Sequence, residues 1–183
     1  MTGVQTCALP ISLSLPETVR RQLGLLDGGV PGARWTSLEN LHLTLRFIGE
    51  VDGRTAQDID DALAAIDTSP FSLELAGVGE FGGKMPHMLW AGVRPNEKLL
   101  HLQRKVETAL QRIRLPPEKR KYSPHVTVAR LRGAPLPKVR EFLQAHALFA
   151  SLEFRVESFA LYSSQLSHNG SIYRMEREYR LKG

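Results

Sequence analysis

Cysteine is almost missing from this chain: Cys7 is the single one in 183 residues. One cysteine excludes a disulfide within the chain and any cysteine-built metal site. It suits a reducing cytoplasm, where the protein is expected to reside. Long apolar runs are missing too, and no stretch approaches the roughly 20 residues that a membrane-crossing helix needs. Acidic residues are in deficit, 19 against 24 basic ones, so the net charge is +5. That balance favours an anionic partner such as RNA, although an ordinary basic protein has the same sum. The opening stretch, Met1 to Pro10, lacks the basic start and apolar centre of a secretory signal. It is read as a leader, with residues 11–183 as one domain.

What the chain has is a four-residue phrase used twice. His42-Leu43-Thr44-Leu45 is the first copy and His125-Val126-Thr127-Val128 the second. Each lies in an apolar, partly β-branched run that reads as a buried strand. On a strand, residues i and i+2 share a face, so each copy presents its His and Thr together while the apolar residue between them enters a core. Imidazole is a general acid or base, and a hydroxyl beside it can donate to a phosphate oxygen. Two such pairs facing one cleft would hold a phosphate between two proton-transfer groups.

A lone histidine on a strand is ordinarily a structural residue. Here the surroundings repeat as well. The histidines are 83 positions apart, and the same offset aligns Ile59 with Phe142, Phe71 with Phe154, Leu73 with Val156 and Glu74 with Glu157. That implies two structural repeats, about 11–94 and 95–183.

The order in both halves reads helix, His strand, helix, strand, strand. Pro16 opens a helix with Val19, Leu23 and Leu26 inward; Asp52 and Asn96 cap two more; Pro137 opens the fourth. Residues 31–40, with Trp35, and the glycine-rich stretch 77–86 read as loops. Ser167-His168-Asn169-Gly170 reads as a turn between the last strands. Short turns between strands predict an α+β fold: two pseudo-symmetric lobes with largely antiparallel sheets flanked by helices, and the cleft between them. A zinc ion shared by the two histidines would need a third ligand, and no carboxylate or cysteine is spaced to supply it. No metal and no cofactor are therefore expected. His87 is read as a rim residue, and His101, His146 and His168 as surface residues.

These stretches resemble the 2H phosphoesterase superfamily, and within it the RNA 2′,3′-cyclic phosphodiesterase branch, historically called 2′-5′ RNA ligases. The resemblance rests on residues 39–49, Glu-Asn-Leu-His-Leu-Thr-Leu-Arg-Phe-Ile-Gly, and residues 122–130, Tyr-Ser-Pro-His-Val-Thr-Val-Ala-Arg. Leu89 to Val93 resembles the branch's middle strand, and Leu161 to Leu166 with Gly170 and Tyr173 its C-terminal hairpin. Met1 to Ser12 departs from the Arg-x-Phe-x-Ala opening usual in the family, and Tyr122 stands where Phe is common.

The resemblance implies hydrolysis of a 2′,3′-cyclic phosphate to a 2′-phosphomonoester without a metal. His42 would be the proton donor and His125 the acceptor, with Thr44, Thr127 and Arg130 on the phosphate. On an ideal strand Arg130 faces away from His125, so a bulge is required to bring it in. Arg46 falls on the His42 face of an ideal strand and is read as a rim charge. Tyr122 and Trp35 could stack on a base. The expected partners are RNA ends or cyclic nucleotides, bound by a monomer. The alternative is an RNA-end binding module, or a 2′-5′ RNA ligase with little hydrolytic turnover.

Overall fold

Leu9, Ile11 and Leu13 alternate, and all three are buried from strand β1, Ala8–Ser14. The computed structural model describes residues 8–167 and 170–182. His168 and Asn169 of the expected turn lie outside the described residues, as do residues 1–7. β1 starts three residues before Ile11, and Ala8 already pairs with Glu50.

Helix α1, Glu17–Gly24, buries Val19 and Leu23. Residues 31–40, read as a loop, contain strand β2, Ala33–Trp35, and a 3-10 turn, Leu38–Asn40. β3, His42–Glu50, carries the first phrase. α2, Gly53–Ala64, starts where the Asp52 side chain accepts from the Thr55 backbone N–H. Then come β4, Phe71–Leu73; β5, Leu75–Phe81; and β6, Met88–Val93.

β5 runs through part of the stretch read as a glycine-rich loop. Gly79 pairs with Trp90, whose indole covers it: a Cβ there would sit 2.1 Å from the ring. The glycine marks close packing rather than a turn. α3, Glu97–Arg112, buries Leu99, Leu102, Val106 and Leu110 along one stripe, each full burial worth about 2 kcal/mol. β7, His125–Leu131, carries the second phrase. α4, Leu136–Ala145; β8, Phe154–Val156; β9, Ser158–Ser167; and β10, Gly170–Arg180, complete the order. Among the described residues no helix is long and apolar enough to cross a membrane.

The fold is α+β. The main sheet runs β10-β9-β1-β3-β7-β6-β5, with β2 also on β7, and a second sheet pairs β4 with β8. Every strand pairing is antiparallel. β3 and β7 meet through one residue pair, Leu43 with Val126, and in the small sheet Ser72 pairs with Arg155. Both pairs join positions 83 apart, so a pseudo-two-fold axis passes through each. The sheet halves are not the sequence halves. β5 joins β6 and β7, while β9 and β10 join β1 and β3. Each half of the chain thus lends strands to the sheet of the other.

Candidate active site

Antiparallel register about Leu43 and Val126 sets His42 beside Thr127 and Thr44 beside His125. Leu43 and Val126 are fully buried toward the helices, so the two His-Thr pairs lie on the opposite face. Among the described residues Leu43–Val126 is the one ladder pair between β3 and β7, and the two His-Thr pairs lie on either side of it.

The two rings are held in the same way. His42 Nδ1 lies 2.7 Å from the Asn40 carbonyl, and His125 Nδ1 lies 2.7 Å from the Ser123 carbonyl. A carbonyl only accepts, so each Nδ1 carries the proton. Each Nε2 is left for exchange: a lone pair on neutral imidazole, an N–H on the imidazolium. The sequence gives no signal for this restraint, because the acceptors are backbone atoms.

The ring surroundings differ. Tyr173 meets His42 edge to face at 4.8 Å. Phe81 meets His125 edge to face at 5.0 Å, with Trp90 at 6.3 Å. Sequence reasoning gave none of these aromatics a role beside a histidine. Burial holds the His42 pKa below its ordinary value; the Asn40 carbonyl opposes that shift and the charge of His125 adds to it.

Thr127 Oγ1 donates to Met88 Sδ at 3.4 Å, a weak acceptor that a phosphate oxygen would readily replace. Arg130 reaches the site face through a bulge. Thr127 pairs with Trp90 and Ala129 with Leu89, so Val128 is the extra residue. The burial sequence of β7 changes phase there, with Val128 and Ala129 both buried and Arg130 exposed.

β3 has the matching bulge. Thr44 pairs with Ser12 and Arg46 with Ile11, leaving Leu45 extra. Arg46 is thereby turned to the helix face and is not a rim charge. It pairs with Glu107 at 3.1 Å and Glu118 at 2.9 Å and donates to the Pro116 carbonyl at 2.6 Å. Tyr122 is half-buried with its ring against the core, and its hydroxyl donates to the Thr44 carbonyl at 3.1 Å. Burial pushes its phenol pKa up. These contacts make Tyr122 a strap between the two motifs rather than an open stacking surface. Trp35 is partly buried and packs on Phe142 against the core, centroids 5.7 Å apart. His87 and His101 are exposed, and His146 packs on Phe142 away from the cleft. Among the described residues no three metal-ligating side chains converge.

A cleft floored by two pseudo-symmetric His-x-Thr strands is the arrangement of the 2H phosphoesterases. The chain belongs to the 2′-5′ RNA ligase superfamily, whose sequence profile matches residues 28–167. It is 33% identical over 181 residues to an RNA 2′,3′-cyclic phosphodiesterase of Thermotoga maritima, covering 94% of this chain and 95% of the relative. It is 37% identical over 139 residues to one of Aeropyrum pernix, covering 74% and 79%. Among solved structures it resembles TT0787 of Thermus thermophilus, with a TM-score of 0.80, 27% identity and coverage of 96% and 98%. LigT of E. coli complexed with 3′-AMP shares the fold, with a TM-score of 0.81, 22% identity and coverage of 98% and 100%.

Proposed function

We propose that this protein is an RNA 2′,3′-cyclic phosphodiesterase that opens the cyclic end to a 2′-phosphomonoester with its two histidines. The observation that carries the reading is the matched restraint of His42 and His125, which frees both Nε2 atoms for proton transfer. Neutral His125 takes a proton from water as the water attacks phosphorus. Protonated His42 gives its Nε2 proton to the departing 3′-oxygen. The P–O3′ bond breaks as the new P–O bond forms, and the 2′-ester remains. Thr44 and Thr127 donate to the non-bridging oxygens, and Arg130 offsets their charge.

The acid must be charged, yet burial lowers the His42 pKa. The phosphodiester anion supplies the opposing field when it binds. The reaction on this reading needs no metal, and the protein works as a cytoplasmic monomer. The relatives of the same family named for this activity support the assignment. Adenosine 2′,3′-cyclic phosphate should yield 2′-AMP in excess EDTA, followed by phosphorus NMR. Abolition by EDTA with recovery on zinc, or a 3′-AMP product, would contradict it.

A further inference from the structure

Arg130 has a like-charged neighbour. In the β2–β7 ladder Arg34 is its direct cross-strand partner. Trp35 packs against the core on the helix side, so Arg34, next to it on the strand, faces the cleft with Arg130. Both are exposed, as is Arg132 two residues further on. Like charges directly opposite each other on a sheet are destabilising. Arg21, Arg46, Arg94, Arg120 and Arg177 are all paired with carboxylates. Among the described residues no such partner meets Arg34, Arg130 or Arg132.

The juxtaposition is built into the backbone. The Arg132 amide donates to the Gly32 carbonyl at 2.9 Å. Gly32 has φ +77°, and a Cβ there would lie 2.4 Å from the Arg132 carbonyl oxygen. Only glycine lets the chain start β2 against β7 at this distance.

The opposite end of the cleft is different. The position in β3 that matches Arg130 is Phe47, which pairs with Pro10 and is 53% exposed. The symmetric position thus carries no charge, and the arginine pair belongs to one end of the cleft. That end lies beyond His42, because β7 runs antiparallel to β3 and passes His42 on its way to Arg130.

We infer that Arg34 and Arg132 form a track for the phosphates 5′ to the cyclic end, so that the enzyme selects RNA chains over cyclic mononucleotides. The inference rests on the cyclic phosphodiesterase reading. In that reading the nucleoside remains on the side of the departing 3′-oxygen, which is the His42 side. Its 5′-oxygen and the phosphates before it then leave the cleft over the unpaired arginines. One strand of RNA carries one charge per nucleotide, so a row of guanidiniums at strand spacing matches it better than a single cyclic nucleotide does.

The test compares adenosine 2′,3′-cyclic phosphate with the trinucleotide ApApA ending in the same cyclic phosphate. Wild-type kcat/KM should favour the trinucleotide by about tenfold at low salt. Its slope against log salt should be steeper by about 0.7 per phosphate engaged. Arg34→Ala with Arg132→Ala should bring the ratio of the two kcat/KM values close to one and flatten the slope, and Arg34→Lys should keep most of both. A wild-type ratio near one, or a double variant that loses rate equally on both substrates, would overturn the track while the phosphodiesterase reading stands. A wild-type enzyme that turns over neither substrate would overturn both.

Discussion

Leu43 and Val126, the residues between His and Thr in the two phrases, pair with each other directly. An antiparallel pair between equivalent positions is what a two-fold axis requires. One backbone contact therefore aligns both catalytic candidates at once, each histidine beside the other repeat's threonine.

That symmetry leaves open which histidine is acid and which is base, and a substrate can decide it. His42→Ala and His125→Ala should each lower kcat by about 10²–10⁴ on an oxygen substrate. With sulfur at the 3′-bridging position the leaving group needs no proton. His42→Ala should then recover most of its rate, while His125→Ala stays slow. Recovery by His125→Ala instead would reverse the roles.

The lowered pKa of His42 gives the pH profile a direction. As the acid, His42 acts in its protonated form, which is lost as pH rises through its pKa. In the free enzyme that loss comes at lower pH than for an ordinary histidine, so kcat/KM should begin to fall early. Bound phosphodiester stabilises the imidazolium, so the same limb in kcat should lie at higher pH. Limbs that coincide would show that the bound anion does not act on His42. The limbs belong to the coupled pair.

Trp90 and Gly79 can be tested together. Gly79→Ala sets a methyl 2.1 Å from the indole that flanks His125. Forcing the indole away should cost about 1–3 kcal/mol, shift its fluorescence and lower kcat. Shifted emission with wild-type kcat would show that the indole position is irrelevant to His125.

Arg46 should matter for stability. Its side chain is 10% exposed and Glu107's 17%, so Arg46→Ala strips a largely buried carboxylate of its ion partner and leaves it only the Glu118 amide and the Gln111 side chain as donors. We expect a loss of about 3 kcal/mol in urea unfolding. A change within about 0.5 kcal/mol would return Arg46 to the ordinary surface class.

The sequence by itself determined the helix stripes, the caps at Asp52 and Asn96, the two His-x-Thr strands and the 83-residue repeat. All of these depend on local spacing: 3.6 for a helix, 2 for a strand, and a fixed offset for a duplication. Tertiary structure alone decided where the local period breaks. The bulges at Leu45 and Val128 are defined by partner strands, and they send Arg46 to the helices and Arg130 to the cleft. The sequence could state that Arg130 needed a bulge, but not that its symmetric counterpart would turn Arg46 the other way. Strand exchange, Trp90 over Gly79 and the Arg34–Arg130 pair join residues far apart in the chain. No periodicity within one segment encodes which distant strand will lie beside it, because that choice is made by the packing of the whole sheet.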